Sequence, residues 1–498
     1  PRDETVHPLI RGGARIGTPG FQVVRERGED VRGATRAGSV HLRDDADVDQ
    51  MFRELTEAQA ERRERIYAMP LEQLDPAAID SYPNEEMFFK FERLRAEDPV
   101  HFTSGDDSEY GDYWSITKWD DIIKIDTDSV TYSNEAGITI GANRPDRQPA
   151  AYSPDEDTRT PEQIEADKER GIQSLLSMDP PQHGLHRGAV SESVSPANLA
   201  ELEPLIRERI AGILDGLPIG EEFDWVDKVS MELTAMTLAT LFNYPQERRR
   251  ELTFWSDIMT ATPGPGQVVE TREEADAARQ AFFATIAKMY QERGEAEPAQ
   301  DFMSLMAHSP QSKDFTLPEV LGDSIILLVG GNDTTRNTLT GSVYALDRNP
   351  EQNAKLRANP ALIPGMVSET IRWQTPLTHM MRKANEDVVI GGKTIRKGDK
   401  LAMWYVSGNR DESKIENPND YIIDRKNPRQ HLSFGFGVHR CLGNRLGELQ
   451  LRLAWEEILK RFPEVKVVGE PVRAYNNFAK GYDRMTVVIP SRYDAVAN

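Results

Sequence analysis

Cysteine is almost missing from this chain: Cys441 is the only one in 498 residues. A single sulfhydryl excludes an intramolecular disulfide, a thiolate-cluster zinc site and a cysteine-held iron–sulfur cluster, each of which needs more than one. Long apolar runs are missing too. The longest strongly apolar stretch, IILLV at 325–329, is far short of the roughly 20 residues of a membrane span. No secretory apolar segment precedes the folded part. Positive charge is in deficit, with 60 Lys and Arg against 82 Asp and Glu and a net charge of -22, which argues against neutralising nucleic-acid phosphates. The composition is that of a soluble, cytoplasmic protein without structural disulfides.

Periodicity places the core in the second half. Residues 1–70 read as an N-terminal arm, irregular through GGARIGTPG and helical only from Met51 to Tyr67. VHFTS and YWSIT, between Val100 and Thr117, alternate as a hairpin. The Pro-rich, charged insert at 142–170 reads as a surface loop, with a cover over a pocket as the alternative. Amphipathic helices are expected over Asn198–Gly216, Val226–Phe242, Glu273–Arg293, Leu317–Asp347 and Ile363–Trp373. Strand signals return in 387–406 and 485–490. No repeat or linker separates a second core, so residues 71–498 read as one domain, mainly α with a small β region (α+β).

The one cysteine lies in FGFGVHRCLG, just ahead of an amphipathic helix that Pro463 terminates. A helix N-terminus offers unpaired N–H groups and positive potential, which favour a thiolate. Gly435, Gly437 and Gly443 let backbone approach a large flat ligand, and Phe434 would shield one side from water. On position alone, a small buried hydrophobe or a reactive thiol serves as well. The full pattern F-x-x-G-x-H-x-C-x-G resembles the haem-binding loop of the cytochrome P450 family. The resemblance implies a triangular helical prism around a buried haem b, with Cys441 as axial ligand of the iron and His439 on a haem propionate.

Three further motifs stand in the family's order. LLVGGNDTTRNTLTG is similar to the oxygen-activating helix, which implies Asp333 and Thr334 as the proton-delivery pair. Its paired glycines, Gly330 and Gly331, predict a distorted turn, with close helix packing as the alternative. SETIRWQTP carries Glu369 and Arg372 on one helix face, resembling a structural E-x-x-R pair that Arg425 or His431 would complete. In SMDPPQHGLHRGAV, Asp179 is the expected N-cap, and His183 and Arg187 share a helix face. By resemblance these two and Arg382 hold the propionates.

The implied reaction inserts one oxygen atom from O2 into a C–H bond, with electrons from NAD(P)H. No flavin or ferredoxin module is visible, so an external ferredoxin with its reductase is expected, docking on a positive patch around Arg440 and Arg445. Blocks outside the haem contacts, such as ETIRWQTPLTHM and MWYVSGNRDE, are similar to bacterial alkane and fatty-acid terminal hydroxylases. One departure is Met381–Arg382–Lys383, where that group often has two arginines. Leu328, Val329, Gly330, Leu377, Met380 and Phe478 are the expected lining of an apolar substrate pocket. A terpene or steroid hydroxylase is the alternative, as is a haem-thiolate sensor or isomerase that does not hydroxylate.

Overall fold

The computed structural model describes residues 56–141, 172–260, 263 and 268–493. The insert at 142–170 and most of the N-terminal arm lie outside the described residues. The chain divides into two units, residues 1–57 and 58–498, and the hydrophobic core of the described residues lies in the second. The arm therefore ends earlier than residue 70. Helix α1 (Glu57–Ala68) is bonded to α2 (Met87–Glu97): Arg93 Nη1 donates to the carbonyls of Ile66 and Met69 at 2.9 and 2.6 Å.

The hairpin expected near residue 100 forms from β1 (Val100–Thr103) and β2 (Tyr113–Ile116), paired antiparallel from Val100–Ile116 to Thr103–Tyr113. With β3 (Tyr132–Ser133), β5 (Met380–Ala384) and β8 (Lys400–Met403) it makes a five-stranded sheet in the order β1-β2-β8-β5-β3. The smaller sheets use β4 (Glu222–Asp224), β6 (Val388–Ile390), β7 (Lys393–Ile395), β9 (Lys466–Val467), β10 (Val472–Arg473), β11 (Tyr482–Arg484) and β12 (Thr486–Val488). Between β2 and β3 lies α3 (Trp119–Thr127), which carries Asp126 near its end.

Helices supply the larger layer. They are α4 (Gln182–Ser191), α5 (Pro196–Asp215), α6 (Glu232–Leu241), α7 (Arg249–Thr260), α8 (Arg272–Glu295), α9 (Phe302–His308), α10 (Leu317–Arg348), α11 (Pro350–Ala358), α12 (Ile363–Gln374), the single turn α13 (Tyr405–Gly408) and α14 (Asn444–Arg461). Their starts are written in the sequence. Ser195 accepts the N–H of Asn198 ahead of Pro196, and Thr271 with Glu274 and Thr316 with Glu319 form reciprocal caps. The expected helix 226–242 opens instead as a wide π-helical segment, Val226–Met231, before tightening into α6.

Helix α10 is the axis of the main hydrophobic core. Leu321, Leu328, Leu339, Val343 and Leu346 pack there with Phe282, Ile371, Leu453 and Trp455. The helix runs unbroken through Gly330 and Gly331, contrary to the expected distortion. Close packing explains Gly331, where a Cβ would lie 2.8 Å from Leu238 Cδ2. Among the described residues no helix is long and apolar enough to cross a membrane.

Candidate active site

The loop around Cys441 is held by backbone. Cys441 N–H donates to the Phe434 carbonyl at 2.8 Å, closing the loop on itself. Gly435 and Gly437 turn it with φ of +64° and +65°, a region side chains disfavour. A Cβ on Gly437 would stand 2.4 Å from the Asp126 carbonyl oxygen, and one on Gly435 3.1 Å from Asp126 Oδ2. Gly443 is the N-cap of α14, so the cysteine precedes the cap by two residues. Burial raises the Cys441 thiol above its ordinary pKa, opposed by the Gly443 amide, Arg187 and Arg440. A coordinating metal ion would oppose that rise, because it deprotonates a thiol outright. The residue has accessible surface and lines a cavity walled by protein.

That cavity encloses about 1450 Å³, its mouth included. Ile326, Leu327, Gly330, Gly331, Thr334, Thr335 and Thr338 of α10 form one wall, at the spacing of a single helix face. Leu377 and Met380 line it as expected. Leu328, Val329 and Phe478 do not: from 327 the helix returns to the cavity at 330 and 331. Leu328 is fully buried in the core instead, and Phe478 packs edge-on to His379 with ring centroids 5.5 Å apart.

Asp333 and Thr334 face different surroundings. Thr334 lines the cavity, and its hydroxyl donates to the Gly330 carbonyl at 2.9 Å. Asp333 is buried behind the wall, accepting from Arg336 Nη2 at 2.9 Å and from Asn332 Nδ2 at 3.0 Å. Arg336 also donates to Asp257 of α7 at 3.0 Å. Burial raises the pKa of both carboxylates, Asp257 to about 6, against the pull of Arg336.

Cationic and donor groups gather at another edge. His183 and Arg187 stand one turn apart on α4, and the His183 ring lies 4.2 Å from that of His439. His183 Nε2, Arg187 Nη1 and both ring nitrogens of His439 are buried without a partner among the described residues. Burial, with nearby arginines, lowers His183 to about 4 and His439 to about 3, so both rings are neutral at pH 7. Arg382 lines the same cavity and is paired with Asp126, Nη2 to Oδ1 at 2.6 Å. Asp179 is not the helix cap: α4 begins at Gln182 with Pro181 as N-cap, and the Asp179 carboxylate accepts the Asn134 N–H at 2.9 Å.

Beneath the loop, Glu369 and Arg372 form a buried bidentate pair at 2.8 and 2.7 Å. Arg425 completes it through Nε at 3.0 and 2.9 Å, whereas His431 Nδ1 has no partner among the described residues. Sequence reasoning missed Asp126, Asp257 and Arg336. For Asp126 a signal was available, because it follows the apolar positions Ile122 and Ile125 as a charge on a buried helix stretch.

These residues fit a haem. The cavity offers a lone sulfur flanked by side-chain-free turns, and donors orphaned at the edge where two carboxylates would complete them. Comparison with known proteins agrees. The family model described as Cytochrome P450 matches residues 252–479. Linalool 8-monooxygenase of Pseudomonas putida is 30% identical over 84% of this chain and 99% of its own. Two solved structures are each 38% identical with TM-score 0.72. Cytochrome P450-153 from Novosphingobium aromaticivorans covers 83% of this chain and 99% of its own, and CYP153D17 from Sphingomonas sp. PAMC 26605 covers 84% and 100%. With a relative of that identity matched along nearly its whole length, the chain belongs to the cytochrome P450 family.

Proposed function

We propose that this oxygen-incorporating oxidoreductase hydroxylates the terminal carbon of medium-chain alkanes or fatty acids, with NAD(P)H electrons reaching it through an external ferredoxin and reductase. The observation that carries the reading is the cavity's apolar wall, in which Ile326, Leu327, Leu377 and Met380 stand on the same space as Thr334 and Cys441. A hydrocarbon chain gains about 25 cal/mol per Å² buried there, so shape rather than polar contact selects the carbon presented. Haem, when bound, supplies the activation of O2.

The chain's own residues have distinct tasks. Cys441 provides the sulfur ligand, in a loop fixed by its own backbone. Arg187, Arg382, His183 and His439 bind and orient the two propionates. Thr334 commits its hydroxyl proton to Gly330 and so presents lone pairs to the cavity, where they hold a water for proton transfer. Asp333 must turn away from Arg336 to take part. Arg440 and Arg445, neither of them buried in the core, suit an acidic ferredoxin.

A terpene substrate is the second reading, favoured by the relative named linalool 8-monooxygenase. The deciding experiment titrates the haem protein with alkanes, fatty acids, terpenes and steroids. Each ligand that shifts the Soret band is then turned over with ferredoxin, reductase and NADH. Primary alcohols from unbranched chains are expected; internal alcohols alone, or response to terpenes alone, would overturn the terminal assignment. Thr334→Ala should still bind substrate but release peroxide in place of product. Cys441→Ser should lose the red-shifted absorbance of the reduced CO complex.

A further inference from the structure

One buried carboxylate, Asp126, joins three parts of the site. Its Oδ1 accepts from Arg382 Nη2 at 2.6 Å. Its Oδ2 accepts from the Tyr405 hydroxyl at 2.9 Å and from the Phe436 N–H, inside the cysteine loop, at 2.7 Å. It lines the cavity, and both side chains of the Arg382 pair are at least 97% buried. The same residue dictates glycine at 435 and 437, where any Cβ would meet its carboxylate or its carbonyl. A buried charge held this closely is expensive to keep, and a loop needing only shape could be packed with apolar groups.

We infer that Asp126 is a positioning residue that fixes the Arg382 guanidinium toward the cavity and sets the charge at that edge of the haem site. Arg382 spends two of its five N–H groups on Asp126 and the Met381 carbonyl, leaving the others for a propionate. Asp126 offsets the charge of Arg382 as it does so. Of the two arginines that line the cavity, Arg187 and Arg382, one is thereby offset, so these two arginines less one carboxylate leave a single net positive charge for two propionates. The residual negative charge disfavours adding an electron to the haem, so Asp126 holds the reduction potential down.

This inference rests on haem binding at Cys441, and the test separates the two. The midpoint potential and the reduced-CO spectrum are measured for wild type, Asp126→Asn, Arg382→Gln and the double variant. A wild-type protein without the red-shifted CO band would refute the haem-thiolate reading itself. With that band present, Asp126→Asn is expected to raise the potential, Arg382→Gln to lower it, and the double variant to return it toward wild type. Should Asp126→Asn alone fail to load haem, its effect is read in the Arg382→Gln background, where no buried arginine is left unpaired. Tyr405→Phe removes one bond to the same carboxylate without altering charge, and should leave the potential near wild type. An unchanged or lowered potential on adding Asp126→Asn, or a Tyr405→Phe shift as large as that of Asp126→Asn, overturns the assignment.

Discussion

Replacing Arg372 with lysine keeps the charge and should nonetheless unmake the support of the cysteine loop. All five N–H groups of Arg372 are engaged. Nε and one Nη2 hydrogen go to Glu369, the two Nη1 hydrogens to the carbonyls of Asn409 and Pro418, and the second Nη2 hydrogen to that of Asp420 at 3.0 Å. Lysine brings three donors for these five bonds, so at least two bonds are lost in a site where Glu369 and Arg372 are fully buried, although Arg425 continues to serve Glu369 and the Asp420 carbonyl. An unpaired buried acceptor costs about 1–3 kcal/mol, and breaking a buried pair about 3–5. A loss of about 3–5 kcal/mol is expected, a large share of the roughly 5–15 that a folded protein has. Denaturant unfolding of the haem-loaded protein measures it, with the reduced-CO spectrum reporting the loop. Lys355→Ala, which breaks an exposed pair with Asp424, serves as the comparison and should change stability by under about 0.5 kcal/mol. A loss below about 1 kcal/mol for Arg372→Lys would show that the five-donor reasoning is wrong.

Two further outcomes can be checked directly. His186 of α4 is buried, which opposes protonation, but its hydrogen bond to Asp323, at 2.6 Å, and the Glu319 carboxylate 3.8 Å away outweigh burial and raise it to about 9. The same contact draws Glu319 down to about 2, whereas burial wins at Asp323, which is raised; the charged imidazolium is the form we assign. Because the folded pKa exceeds the unfolded 6.5, this stability is complete below about pH 6.5 and is lost as pH rises through about 9. Its ceiling is on the order of 3 kcal/mol, from about 1.4 per pH unit. Urea unfolding between pH 6 and 9.5 should show that decline in wild type and not in His186→Gln. Gly330 has open space where a Cβ would stand, unlike Gly331 against Leu238. Gly330→Val should therefore keep its unfolding midpoint while losing the Soret shift with long-chain ligands, and a collapse in stability would contradict the open wall.

Chemistry carried by backbone and local order was legible in the sequence. The cysteine loop needs glycines at fixed offsets, and caps such as Thr316 with Glu319 are settled within four residues, so helix positions and the E-x-x-R pair could be read directly. Side-chain direction around a long helix was not. Leu327 and Leu328 are chemically alike and adjacent, yet a rotation of about 100° sends one to the cavity and the other into the core. Nor could local order give Asp126 its partner, 256 residues away, or choose Arg425 over His431 beside Glu369. Those choices depend on which charges burial brings together, because a buried charge is tolerable only where the fold supplies its complement.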